Sequence, residues 1–309
     1  MTETTLTVTS AGHDLPGTLT TPAGPGPFPT VLLVPGSGPV DRDSNHKRMR
    51  LDVTRQLAVA LGEAGLATFR YDKRGVGRSS GDWREAGFHE SGDDVAAVLD
   101  ALAARPEVDA SRLVLVGHSE GALHAIEVAA RRTDLAGVAL LSTSAQPGLE
   151  VLRWQSRNVA GDLPAFVRGV LRLMRTDIEK KTEQNRVAIA ATTGDVARIG
   201  GVRINARWHR EFMAYDPRVD LPRITVPVLA LTGSKDLQVD PADLTTVAEL
   251  VAGPVETHVV QDVTHVLRRQ DGRASLSAYK EEIRRPLDER VVDLLVTWAR
   301  RVTTVAAAA

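Results

Sequence analysis

The sequence predicts an α/β protein: a mostly parallel central sheet flanked by helices and carrying a helical cap insertion. Three observations predict it. Short runs dominated by apolar and β-branched residues recur at 30–34 (TVLLV), 66–71, 112–116, 135–141 and 226–231, the pattern of strands buried on both faces. Stretches of helical periodicity alternate with them at 51–64, 93–104, 122–132, 241–251 and 288–302. The alternation stops between residues 146 and 222 and then resumes, which points to an insertion within one sheet rather than to a second domain.

Residues 6–20 alternate apolar and polar positions and are punctuated by Gly12 and Gly17, which reads as an antiparallel hairpin. A Pro/Gly-rich connection, 22–29, leads to the first buried strand. Gly65 ends the first helix, and Pro106 closes the second. The block 146–222 holds charge-rich amphipathic stretches, such as 165–184 and 204–215, and no strong strand. The expected organisation is a core of residues 1–145 and 223–309 with a helical cap at 146–222. A last strand at 257–260 precedes the final helix.

The chain has 309 residues, 43% apolar and 25% charged, as in ordinary globular proteins. A net charge of −1 gives no electrostatic reason to expect nucleic acid or an anionic membrane as partner. The absence of cysteine excludes disulfides, thiolate chemistry and cysteine-ligated metal. The N-terminus lacks the basic start and apolar run of a secretory signal. No apolar stretch approaches the roughly 20 residues that span a bilayer. These features set the expectation of a soluble cytoplasmic protein acting on a small molecule, with a homodimer left open.

Gly117-His118-Ser119-Glu120-Gly121 matches Gly-x-Ser-x-Gly between a buried strand and a helix, the setting of a nucleophile elbow. The turn would lift the Ser119 hydroxyl clear of the sheet, at a helix N-terminus that favours developing negative charge. A helix N-cap serine is the plainer alternative. A serine hydroxyl needs a base, and the base needs an orienting acid. After such an elbow these follow in the order Ser, Asp or Glu, His. Asp236, just past the strand 226–231, is the expected acid, with Asp240 as competitor; Asp240 precedes Pro241 and also reads as an N-cap. His265, in the loop after the strand 257–260, is the expected base. His118 neighbours Ser119, but its side chain should diverge from it, and His124 and His258 lie inside regular elements.

An oxyanion needs two preorganised N–H donors, each worth about 3 kcal/mol. One should be the Glu120 amide. The other should come from the loop Pro35-Gly36-Ser37-Gly38-Pro39, with Ser37 first and Gly38 second. Gly38, His46, Trp208, Phe212 and Tyr215 are candidate substrate contacts, and Trp154 and Met213 further lining residues, although such aromatics more often pack a cap onto a sheet. Asp41, Arg42 and Asp43 read as a salt-bridged clamp on the loop, and Arg74 and Arg78 as loop architecture. Glu120 could pair with Arg42 or His46, or sit solvated at its helix start.

The chain resembles the α/β-hydrolase superfamily over nearly its whole length. It is similar to bacterial serine aminopeptidase-like or dienelactone-hydrolase-like proteins, several of them carboxylesterases. The resemblance rests on Pro-Gly-Ser-Gly-Pro-x-Asp-Arg-Asp at 35–43, Tyr-Asp-x-Arg-Gly-x-Gly-x-Ser at 71–79 and Gly-His-Ser-Glu-Gly at 117–121. Gly-x-x-Asp-x-x-Val at 233–239 and Thr264-His265 complete it. The run at 44–48 is more basic than the family pattern. The resemblance implies the same three residues, Ser119, Asp236 and His265, acting on a small acyl substrate without cofactor or metal. The rivals are acyl transfer, thioester or peptide cleavage by the same residues, and a non-catalytic binding protein on the same scaffold.

Overall fold

In a computed structural model, which describes residues 1–47, 49–162 and 177–306, the apolar runs become the centre of one large sheet. Strands β1 (Thr2–Ser10) and β2 (His13–Thr21) form the entry hairpin, followed by β3 (Phe28–Val34) and a small ribbon of β4 (Asn45–His46) with β5 (Met49–Arg50). Then come helix α1 (Val53–Glu63), β6 (Ala67–Tyr71), α2 (Phe88–Ala103), β7 (Val108–His118), α3 (Glu120–Ala129) and β8 (Gly137–Leu141). The stretch before the sheet resumes carries α4 (Gly148–Asp162), α5 (Ile178–Ala190), the hairpin β9 (Val196–Ile199) and β10 (Val202–Asn205), and α6 (Ala206–Ala214). Strand β11 (Val228–Gly233), α7 (Asp243–Leu250), β12 (Val255–Val260), α8 (Tyr279–Glu282) and α9 (Glu289–Ala306) complete the chain.

The eight-stranded sheet has the order β1-β2-β6-β3-β7-β8-β11-β12. Only β1–β2 and β2–β6 pair antiparallel; every other neighbour is parallel. Alternate residues of each central strand feed opposite faces. Leu115 belongs to one apolar cluster with Val98 and Leu99 of α2, Ile126 of α3 and Val247 of α7. Its neighbours Val114 and Val116 pack with Leu57 and Leu61 of α1 and with Val291, Leu295 and Trp298 of α9. Burying one such side chain is worth about 1.5–3 kcal/mol, so two covered faces explain the continuous apolar runs.

The structure sharpens one local reading and corrects another. Of the two glycines in the entry hairpin, Gly17 lies within β2 opposite Tyr71, where a Cβ would sit 2.2 Å from the Phe69 ring. The hairpin turns at Ala11 and Gly12, both at positive φ. The middle block does contain strands. Gly200 and Gly201, at φ 56° and 84°, form the two-residue turn that joins β9 to β10, a geometry suited to hairpins. These strands are four residues each and lack clear alternation, which hid them. The helix expected at 165–184 lies partly outside the described residues; its final part falls in α5.

Among the described residues, no helix is long and apolar enough to cross a membrane. The loops after β3, β6, β7, β11 and β12 all leave from the carboxyl edge of the parallel strands, where open α/β sheets gather their ligand sites.

Candidate active site

Strand β7 ends on His118 and α3 begins on Glu120, so Ser119 alone makes the turn between them. Its φ of 57° and ψ of −121° are strained for a residue with a side chain. The turn can be this tight because its flanking glycines carry none. A Cβ on Gly117 would lie 2.1 Å from the Gly121 carbonyl oxygen, and one on Gly121 would lie 2.4 Å from that of Val34. Both obstacles are backbone inside packed elements. Gly121→Ala is therefore expected to cost about 3 kcal/mol or to prevent soluble folding, measured by soluble yield and thermal melting. Gly161→Ala, where an added Cβ meets open space, is the control and should melt like the wild type.

The structure brings Ser119, His265 and Asp236 together. His265 Nε2 lies 2.9 Å from Ser119 Oγ, and His265 Nδ1 lies 2.8 Å from Asp236 Oδ2. Asp236 and His265 are 3% and 4% exposed, whereas Ser119 is half-buried at the mouth of the array. Asp236 Oδ1 accepts from the amides of Gln238 and Val239, which fix the carboxylate. Asp240 stands apart: its Oδ1 accepts from Ala242 N and its carbonyl from Asp243 N, a turn leading into α7.

His118 is more than a neighbour. Its buried ring is pushed down to about pKa 3 by burial and by the nearby His265. It is therefore neutral, and Nε2–H donates to the His265 carbonyl at 2.8 Å. Arg268, fully buried, holds the same loop by donating to the carbonyls of Val266, Leu51 and Arg285. Neither role was legible from spacing, because both are contacts to backbone of distant segments.

Ser37, Ser119 and Glu120 line one small pocket of about 50 Å³ with Leu123, Leu152, Trp208, Phe212 and Val239. Among the described residues, neither the Ser37 nor the Glu120 amide N–H donates to a protein acceptor. The pocket adjoins a cleft of about 510 Å³ that shares Ser37, Glu120, Leu152 and Trp208 and adds Gly38, Lys73, Trp83, Arg203 and His209. Trp208 is stacked on Phe212, with ring centroids 4.8 Å apart. Gly38, Trp208 and Phe212 are thus at the site. Tyr215 is not: it is buried against Phe88, and its hydroxyl donates to Asp220. His46 pairs with Met49 in the β4–β5 ribbon and lines neither pocket. Met213 lines neither, and Trp154 faces a separate hollow beside Asp240 and Asp243.

Glu120 pairs with neither Arg42 nor His46. Its Oε1 accepts from His124 one helical turn on, at 3.2 Å. Burial pushes its carboxyl up, but Lys73 and His124 outweigh that and hold it below the usual carboxylate range. Arg42 is already taken by Asp72, through Nε at 3.1 Å and Nη2 at 2.7 Å. Arg70 holds Asp43, and Arg74 holds Asp94 in a second fork. Arg42, Asp43, Asp72 and Arg74 of the two loop motifs are clamps, whereas Arg78 contributes its amide and Asp41 holds its own turn by accepting from Asp43 N and Asn45 N.

Asp72 is the hub, accepting also from the amides of Arg42 and Arg78. Burial raises its carboxyl, yet Arg42 and these amides pull it below the ordinary value. A depressed folded-state pKa stabilises the fold above the unfolded value of about 4, and that contribution is lost as pH falls through the folded value. Asp72→Asn should cost about 3 kcal/mol at pH 7, leaving Arg42 without its counterion. The difference from wild type should shrink below about pH 4, read by thermal melts from pH 3 to 8.

No group of three or more His, Asp or Glu side chains able to hold a metal occurs among the described residues. The order of the sheet, the elbow after β7 and the convergent Ser119, His265 and Asp236 define an α/β-hydrolase. Within that class the chain belongs to the serine aminopeptidase S33 family, whose family model matches residues 50–269. It is 27% identical over 289 residues to Esterase EstD of Thermotoga maritima, an alignment covering 93% of this chain and 65% of that protein. The chain thus spans less than two-thirds of that relative's length.

Among solved structures, Est1E of Butyrivibrio proteoclasticus with bound ferulic acid matches with a TM-score of 0.65 at 18% identity, covering 98% of this chain and all of the other. Proline iminopeptidase of Mycobacterium smegmatis matches with a TM-score of 0.65 at 17% identity, with coverage of 98% and 100%. At such identities the likeness is one of fold.

Proposed function

We propose that the chain is a serine carboxylesterase with Ser119 as nucleophile, His265 as base and Asp236 as orienting acid. The observation that carries this reading is the unbroken hydrogen-bonded array from Asp236 through His265 to Ser119, beside a pocket lined by Ser37 and Glu120, whose amides meet no protein acceptor among the described residues. His265 takes the Ser119 proton as Oγ attacks the ester carbonyl, and the oxyanion rests on the two amides. The alkoxide leaves with the proton from His265. Water, activated by the same imidazole, then hydrolyses the acyl-enzyme. Asp236 keeps the proton on Nδ1 and stabilises the imidazolium.

The segment 146–222 acts as a cap: α4 and α6 supply Leu152, Trp208 and Phe212 to the wall above Ser119. The apolar and aromatic lining suits an uncharged acyl or aryl group. Peptidase action on a free amino terminus is disfavoured, because Glu120 is the one carboxylate lining the cleft among the described residues, and it is already engaged by His124 and faced by Lys73. The esterase named among the relatives supports the same choice.

The test is a panel of p-nitrophenyl esters of graded acyl length, matched thioesters and aminoacyl amides, alongside fluorophosphonate labelling. Turnover of neutral esters and a label on Ser119 are expected. Folded protein that takes no label and cleaves none of the panel would overturn the proposal.

A further inference from the structure

The loop after β3 sits directly on the nucleophile: a Cβ at Gly36 would lie 3.2 Å from Ser119 Cβ. The Gly36 carbonyl and the Ser37 N–H belong to one planar trans peptide, so they point in opposite directions. Whatever grips that carbonyl therefore aims that N–H. Lys73, just after β6 in the neighbouring loop, donates from Nζ to Gly36 O at 2.6 Å. The Ser37 N–H, on the other side of the peptide, meets no protein acceptor among the described residues, and Ser37 lines the small pocket with Ser119. Lys73 also faces the buried Glu120 carboxylate: burial pushes the lysine down from its ordinary value, and the carboxylate opposes that. One lysine thus bonds the peptide that carries the Ser37 N–H and faces the side chain of Glu120.

We propose that Lys73 is the positioning residue of the oxyanion site: its ammonium fixes the plane of the Gly36–Ser37 peptide and so aims the Ser37 N–H at the reacting carbonyl. A charge-assisted bond also polarises the peptide it engages, making the N–H at its far side a stronger donor. The effect grows as negative charge builds on the substrate oxygen, so it acts on the transition state more than on substrate binding. This inference rests on the reading of Ser119 as nucleophile and the Ser37 amide as oxyanion donor.

The test compares Lys73→Met and Lys73→Arg with wild type in steady-state p-nitrophenyl ester hydrolysis, fluorophosphonate labelling and thermal melting. Removing an oxyanion donor outright costs 10²- to 10³-fold in other hydrolases, so misaiming one should lower kcat about 10- to 100-fold. KM should stay within about twofold, because the interaction strengthens only in the transition state. Labelling should slow in proportion, since attack on phosphorus also charges an oxygen in that site. Lys73→Arg, which can still donate to the Gly36 carbonyl, should recover most of kcat. If Lys73→Met melts too low to assay, Lys73→Leu replaces it as another side chain without a donor, with the same loss in kcat expected.

A wild type labelled on Ser119, with Lys73→Met unchanged in kcat, would overturn this inference and leave the esterase reading intact. A loss of kcat in step with melting temperature and not rescued by arginine would also overturn it, as a purely structural tether. A folded wild type that takes no label would remove the reading beneath it.

Discussion

Replacing Ser119 with alanine is expected to lower kcat for ester hydrolysis by on the order of 10⁶-fold, the scale seen when a triad nucleophile is removed. It should also abolish fluorophosphonate labelling and leave the melting temperature within a few degrees. The activity loss follows from the geometry: Ser119 Oγ is the atom hydrogen-bonded to His265 Nε2, and the array offers no second hydroxyl at that point. Stability should hardly change, because alanine keeps the Cβ and inherits the same backbone strain at φ 57°. The Ser119 amide bond to Leu141 O, at 2.9 Å, is also untouched. A residual rate of about 10³–10⁴ over water should remain from the oxyanion donors and binding. Steady-state kinetics, intact-mass labelling and a thermal melt measure all three. Activity retained after Ser119→Ala would place the nucleophile elsewhere.

The second large effect separates the two aspartates. Asp236→Asn is expected to lower kcat by about 10⁴-fold, as an asparagine in this role does in a serine protease; Asp240→Asn should stay within a few-fold. The amides of Gln238 and Val239 point at Asp236 Oδ1, so an asparagine there must turn its carbonyl oxygen toward them. Its NH₂ then faces His265 Nδ1, which has to become the acceptor. The imidazole proton moves to Nε2, where it points at Ser119 and cannot take the serine proton. Asp240 only receives the Ala242 amide in a turn, a bond an asparagine oxygen also makes. Parallel kinetics on the two variants decide between the acids, and a larger loss at Asp240 would reverse the assignment.

The parts of this molecule legible in sequence are those with strong local signals. Residues 30–34 had to be a buried strand because a run of Thr, Val and Leu bears no polar face, and β3 has that centre. Ser119 announced itself through glycines whose missing side chains the turn needs, and His265 and Asp236 through their places just past strands. Where the signal was non-local, reading failed. Nothing near Gly17 reveals that Phe69, far along the chain, fills the space beside it. Tyr215 lay beside pocket residues in sequence, but α6 ends at Ala214 and the chain turns the ring toward Phe88. Lys73 occupied the variable position of a loop motif. Its partner, a backbone carbonyl, leaves no trace in residue identity.

The neighbouring strands β8 and β11 run parallel in register, Val138 beside Val228 and Leu141 beside Leu231. The chain leaves the sheet after the first and returns to the second, so the segment between enters and leaves the core one strand apart; Gln155, Asn158 and Asn205 add side-chain bonds to core-loop carbonyls. A segment attached this way adds only slowly rising closure entropy as it lengthens, and its exchange need not disturb the order or spacing of the strands. Ser119, Asp236 and His265 all lie outside it. On the proposed reading, the architecture separates what is cleaved from how it is cleaved: grafting a different segment between these two strands should redirect substrate choice while leaving Ser119, Asp236 and His265 in place.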